Sequence, residues 1–376
     1  MNLYEHIKEL AAVKPSDAPF LSLYLNTRGA ESGKRQYDAF FKDKLIFFKK
    51  EFADCGEKEK SFKKSWSKIV RYSEQSLEVD SNGAALFCRS QPDNDFFLAL
   101  QFPLPLENRF VVDSGPHIFT LVQFLDNSHH YVVMISDSEK AKIFEIQFGG
   151  IKDIQRIEKS EDEKSFRGEW AQMHYQNWKK DQTKKFIKQK IKILADLMQR
   201  NGVEYLILAG DDIMLAQIKR ELPKWLQERV VDFTRLDVRT DEHQILRQTL
   251  ETFTDFEQAE DIDTLVSLRR ELLTDGLGVM GTKCTVEALN SGKIDQLIVA
   301  TEYAAPPGWR CESCDLLGVG STDESCQYCG ESILKEVNLK EEIARRTLLS
   351  GASVETIVHN VWFMRQGGVG ALLRYK

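Results

Sequence analysis

Residues Lys179–Asp212 read KKDQTKKFIKQKIKILADLMQRNGVEYLILAGDD, and they decide the architecture. Phe186, Ile187, Ile191, Leu194, Leu197 and Met198 recur at helical spacing, so Lys179–Gln199 is expected to be a helix with one apolar face. Gly202 is placed to end it, because glycine adopts the left-handed backbone that closes a helix. Glu204–Gly210 is then apolar without alternation, as a strand buried on both faces is. Asp211 and Asp212 are suited to cap a following helix. The order predicts an α/β domain built on a mixed sheet.

Upstream, His130–Ser136, Ala141–Phe148 and Ile151–Ile157 read as three consecutive strands, with Asp137-Ser138 and Gly149-Gly150 as turns. An acidic, turn-like segment follows at Glu158–Glu163, and then Phe166–Trp178, FRGEWAQMHYQNW. Its apolar residues follow neither period, so a loop is expected. Exposed aromatics and amides before a cationic helix suit a polyanion with stackable bases. The competing reading is an irregular connection whose tryptophans tuck back onto the domain. Lys179, Lys180, Lys184, Lys185, Lys188, Lys190 and Lys192 face a single Asp181 in their span, a charge density that attracts phosphates or simply solvates a helix.

Three domains are expected: 1–127, 128–240 and 241–376. In the first, Phe20–Thr27 is a period-2 strand, a helical region covers about Lys34–Ser73, and strands resume at Gly83–Arg89, Phe96–Phe102 and Arg109–Asp113. The third holds helices to about Leu273, a Cys284–Gly292 helix, the strand Gln296–Thr301 and a final strand Ala371–Tyr375. GGVG at Gly367–Gly370 is a tight turn before an edge strand. A phosphate loop would need a following helix, and only six residues remain.

Within the third domain, 309–334 leaves the pattern. Cys311-x-x-Cys314 and Cys326-x-x-Cys329 form two knuckles, with Gly318 and Gly330 expected to shape their turns. Four thiolates can surround Zn²⁺ tetrahedrally with no open position, which makes the metal structural. An iron–sulfur cluster or a redox pair are the alternatives.

With 376 residues, 42% hydrophobic and 29% charged, the composition is that of an ordinary soluble protein. No apolar run reaches the roughly 18–20 residues that span a bilayer, and the N-terminus does not read as a signal peptide, so the cytoplasm is expected and no membrane partner. A net charge of −7 argues against a surface that coats nucleic acid throughout, yet allows a local basic face.

YLILAGDD after the basic helix, TVEALNSGKIDQLIVAT before the cysteines, and the ending QGGVGALLRY together resemble the archaeal and eukaryotic release factor one / Pelota superfamily in its bacterial branch. APFLSLYLNTR resembles only the bacterial members. The resemblance implies a central domain like the release-factor middle domain and a C-terminal α/β domain with an inserted zinc ribbon. In release factors the loop before the long helix carries Gly-Gly-Gln and enters the peptidyl-transferase centre. Here Gly168 takes the first glycine position and Gln172 the glutamine, with Glu169 at the second glycine and Trp170-Ala171 intervening. Glu169 removes backbone freedom and brings negative charge towards RNA. Similarity to Balon-like hibernation factors implies a protein that occupies the ribosomal A site without efficient peptide release, in hibernation or stalled-ribosome handling. By that resemblance its RNA contacts are Arg167, Gly168, Glu169, Trp170, Gln172, His174, Tyr175, Lys179, Lys180, Lys184, Lys185 and Lys188. Its partners are then rRNA and elongation factor Tu or another translational GTPase. The alternative is a peptidyl-tRNA hydrolase in which Gln172 positions water. A nuclease would want clustered acids, and Asp137, Asp211 and Asp212 read as turn and cap residues.

Overall fold

The computed structural model describes residues 3–28, 37–52, 56–78, 81–92, 95–127, 129–159, 171–322 and 325–376, and for 38, 49, 171–177 and 179 the backbone alone. The chain divides into two compact units. Met1–Asn127 and Asp261–Lys376 form one, Ser128–Glu260 the other.

The first unit begins with α1 (Leu3–Ala11) and β1 (Phe20–Asn26). The helical region expected over 34–73 contains two helices, α2 (Asp38–Glu51) and α3 (Glu57–Gln75); Gly56, at φ 55°, stands between them. With β2 (Gly83–Arg89), β3 (Phe96–Phe102) and β4 (Arg109–Asp113) the sheet order is β3-β2-β1-β4, antiparallel throughout. Phe62, Trp66 and Ile69 of α3 cover the Leu21, Leu23 and Leu25 face of β1. Phe20, Ser22 and Tyr24 on its other face are buried as well, Tyr24 donating to the His117 carbonyl, so β1 is buried on both faces rather than one. A short α4 (Phe119–Asp126) follows.

The second unit holds β5 (Tyr131–Ser136), β6 (Lys140–Gln147), β7 (Gly150–Glu158), α5 (Ala171–Asn201), β8 (Tyr205–Gly210), α6 (Asp212–Glu221), α7 (Lys224–Gln227) and β9 (Val230–Thr234). Helix α8 (Glu242–Leu273) begins in this unit. The sheet runs β7-β6-β5-β8-β9, with β5, β6 and β7 antiparallel and β5, β8 and β9 parallel. Val132, Met134, Leu206 and Leu208 meet the apolar face of α5. Tyr131, Val133, Ile135, Ile207 and Ala209 meet Ile245 and Phe253 of α8. Both faces are covered, so the unbroken apolar run of β8 is what its position demands. Each large side chain so buried contributes about 1.5–3 kcal/mol.

The remainder is β10 (Gly278–Met280), α9 (Thr282–Asn290), β11 (Ile294–Ala300), β12 (Gly308–Cys311), β13 (Leu317–Val319), β14 (Leu334–Val337), α10 (Leu339–Leu349), β15 (Ser353–Ile357), α11 (Val361–Arg365) and β16 (Val369–Leu373). The larger sheet is ordered β10-β16-β11-β15 and the ribbon sheet β13-β12-β14. The last strand was expected at an edge and instead lies between β10 and β11. Gly370 permits this, since a Cβ there would stand 2.8 Å from the Val279 carbonyl oxygen. The tight turn before it is present, with Gly367 and Gly368 at φ 103° and 66°.

Inside the first unit, α4 and α10 are joined by charge. The Ile118 and Phe119 amides both donate to Glu341 Oε2 at 2.8 Å. His117 Nε2 lies 2.8 Å from Asp113 Oδ2, and its Nδ1 is 3.3 Å from Glu341 Oε1 without an aligned hydrogen bond. Phe119 joins the core of the larger sheet, and Asp126 Oδ2 accepts from the Thr356 amide at 2.7 Å.

Candidate metal centre and nucleic-acid interface

The four ribbon sulfurs all lie within 4.8 Å of one another. Cys311 Sγ is 3.6 Å from Cys329 Sγ, and Cys314 Sγ is 3.7 Å from Cys326 Sγ. Four sulfurs each about 2.3 Å from one zinc ion would stand about 3.8 Å apart. The cluster is therefore sized for a tetrahedral metal ion, with Cys311, Cys314, Cys326 and Cys329 as its holders.

The knuckles repeat one backbone device. The Asp315 amide donates to the Cys311 carbonyl at 3.0 Å and the Gly330 amide to the Cys326 carbonyl at 2.8 Å. The Cys311 and Cys326 amides in turn donate to the Leu316 and Glu331 carbonyls, at 3.0 and 2.7 Å. Asp315 and Gly330 both take positive φ, 59° and 80°. Asp315, not Gly318, thus shapes the first turn; aspartate is among the side chains that tolerate this backbone. Gly318 serves packing instead, because a Cβ there would lie 2.1 Å from the Trp309 ring.

The thiols do not ionise alike. A backbone hydrogen bond from Cys314 leads the effects that bring Cys311 down to about 7. At Cys329 a backbone hydrogen bond from Glu331 acts downward, but burial and the neighbouring thiols push the group up to about 12. A bound cation relieves that crowding and favours four thiolates.

The basic helix starts earlier than expected. Helix α5 begins at Ala171, so the 171–178 part of the expected loop is helical. Between Ala171 and Asn201 there is no glycine or proline, and alanine, glutamine and methionine favour propagation of a helix once it is nucleated. Gln172, His174 and Tyr175 therefore sit on the first turns of α5. Arg167, Gly168, Glu169 and Trp170 lie outside the described residues. Lys180, Lys184, Lys185, Lys188 and Lys192 are exposed.

Lys190 departs from the solvated face, being 0% exposed. Its Nζ donates to Ser136 Oγ at 2.5 Å and to the Asp137 carbonyl at 3.1 Å, and sits 4.1 Å from the Phe186 ring centroid. Burial brings its amine down to about 8. The signal was present in the sequence: Lys190 falls four residues after Phe186 and four before Leu194, on the apolar stripe itself.

A cleft of about 420 Å³ opens over the carboxyl ends of β5 and β8, lined by Asp137, Asp211, Asp212 and Asp237. Each acid has a local task. Asp137 Oδ1 accepts from the Glu139 and Lys140 amides, Asp211 caps α6 through the Met214 amide, Asp212 pairs with Arg235, and Asp237 accepts from the Arg239 amide. A second opening, of about 570 Å³, lies where Gln217 and Arg220 of α6 face Lys180 and Lys184 of α5. Sequence reading missed those two α6 residues because nothing local to α6 marks them.

Residues 116–254 match the family model of bacterial archaeo-eukaryotic release factor family 10. A pelota homologue from Pyrococcus furiosus is 26% identical over 125 residues, which is 32% of this chain and 35% of that protein. The match thus spans about a third of the curated relative's length. Among solved structures, an archaeal translation termination factor, aRF1, is 15% identical and covers 99% of this chain and 97% of its own, at a TM-score of 0.27. Dom34 from S. cerevisiae, described as a translation termination-like factor interacting with Hbs1, is 12% identical over 78% and 79% at 0.45. Archaeal Pelota in a ribosome-bound complex with ABCE1 is 14% identical over 100% and 94% at 0.44. At such TM-scores these likenesses bear on neither function nor the placement of any residue. The chain resembles the release factor one / Pelota superfamily in its bacterial branch. Among the described residues no helix is long and apolar enough to cross a membrane.

Proposed function

We propose, with the release-factor match over residues 116–254 as premise, that this chain is a cytoplasmic ribosome-binding factor of the release-factor/Pelota type. It occupies the A site, and the start of α5 with the residues before it reaches the peptidyl-transferase centre. There it serves hibernation or stalled-ribosome handling without efficient peptide release.

The observation that carries the reading is the sequence Gly168-Glu169-Trp170-Ala171-Gln172, in which the resemblance sets Glu169 at the motif's second glycine, with Trp170-Ala171 intervening before Gln172. A carboxylate beside an ester that develops negative charge opposes the transition state, and the lost backbone freedom costs the close approach that orients water. The exposed lysines of α5 supply sequence-independent attraction to phosphate, and Trp170 and Tyr175 are residue types that stack on unpaired bases. Cys311, Cys314, Cys326 and Cys329 hold a structural Zn²⁺, since four thiolates leave no position for a reacting water. Elongation factor Tu or another translational GTPase is the proposed protein partner.

Gln172 keeps the hydrolase alternative in view, because it occupies the first turn of α5, where helix amides lack intrahelical acceptors. Ribosomes bearing peptidyl-tRNA and an open A site separate the two readings. Wild-type protein is expected to release no more peptide than buffer alone. Release that disappears in Gln172→Ala would establish the hydrolase instead.

A further inference from the structure

The groove between α5 and α6 holds a cation arrangement that neither helix shows alone. Lys180, Lys184 and Ile187 follow one another at i, i+4 and i+7, and α6 sets Gln217, Arg220 and Glu221 opposite. Ile187 is buried and forms the floor, while Lys180, Lys184 and Arg220 are exposed at the walls. Among the described residues Glu221 is the one carboxylate lining the groove, 3.4 Å from Lys184 Nζ. Three cations against one anion among these described residues favour an anionic ligand over a metal ion.

An arginine fork matches two phosphate oxygens, whereas flanking ammonium groups act as point charges. Its three cations are exposed rather than enclosed, so the groove suits a strand passing over it better than a buried small anion. We propose that it grips a phosphodiester of an RNA backbone, with Arg220 forking onto the phosphate oxygens and Lys180 and Lys184 neutralising the neighbouring charge. This deepens the ribosome-binding reading and rests on it for the identity of the RNA. The clamp reads no bases; it fixes the register of a strand lying across α5, while Lys185 and Lys188 attract less selectively from the exposed face.

The test is fluorescence anisotropy of full-length protein with a labelled single-stranded RNA of mixed sequence, across a salt series. Lys180→Ala/Arg220→Ala is expected to weaken binding about tenfold near 0.1 M salt and to lower the slope of log K against log salt by about 1.4, two contacts at about 0.7 each. Arg220→Lys, which keeps the charge and loses the fork, is expected to lose part of that affinity. Lys58→Ala/Arg71→Ala on α3 removes equal charge elsewhere and is expected to bind as wild type. Unchanged binding by the groove variant, an equal loss in the α3 control, or no RNA binding by wild type overturns the clamp. Pelleting the same proteins with ribosomes judges the A-site reading separately. Wild type that binds RNA but leaves ribosomes alone sinks that reading and spares the groove.

Discussion

In the ribbon, each sulfur stands three residues from its knuckle partner, and the turn that aims it closes within five residues. At the groove, Lys180 and Arg220 are forty positions apart and meet only because α5 and α6 pack on the same face of one sheet. The ribbon's chemistry is written in its local spacing. The groove's chemistry belongs to the tertiary fold, as does that of Glu341, which binds amides more than two hundred residues earlier in the chain. Local devices tolerate little substitution of their own residues. Long-range devices depend on elements that other residues hold in place.

The largest effect is expected where spacing alone builds the site. Cys326→Ser, or a strong chelator, should reduce bound metal from about one zinc per chain to near zero and open 309–334 to protease, as metal and local folding are coupled. Protein that stays protected and metal-free in wild-type form would break the local side of the comparison.

Glu341→Gln tests the long-range side, with an expected cost of roughly 2–3 kcal/mol in thermal or denaturant unfolding. Burial works against charge on His117, but the hydrogen bond to Asp113 and the nearby Glu341 carboxylate outweigh it and hold the imidazole at about 9. That is above its ordinary value near 6.5, so the contribution is complete below about pH 6.5 and falls away as pH rises through 9. The Glu341→Gln penalty should shrink over the same window; a penalty flat from pH 6 to 10 would remove His117 from the account.

Lys190→Met gives the smallest change. Its amine is held at about 8 against about 10.5 in an unfolded chain, so wild type should gain stability as pH rises from 8 to 10.5. The methionine variant should lose that rise and sit within about 1 kcal/mol of wild type at pH 7. A preserved rise would mean that another group titrates there.

Much of the central unit was legible because its signals are local. The stripe Phe186–Met198, the stop at Gly202 and the unbroken apolar β8 each follow from helix period or two-sided burial. The start of α5 was not legible, since Met173, Tyr175 and Trp178 break the apolar period while the backbone continues as helix. The interior place of β16 was hidden for a different reason. A glycine in a strand weakens it in isolation, and only the neighbouring Val279 carbonyl shows why Gly370 is needed. At the metal site the four ligands were readable, but the turn residue was not: Asp315 does what a glycine was expected to do. Arg220 needed the fold.

The central claim is occupancy of the A site, and co-sedimentation tests it most directly. Purified ribosomes with a vacant A site are compared with ribosomes whose A site is filled by tRNA, each mixed with the full-length protein. The protein is expected to pellet with the vacant ribosomes and to be excluded from the filled ones. Equal pelleting with both, or none with either, would contradict the account.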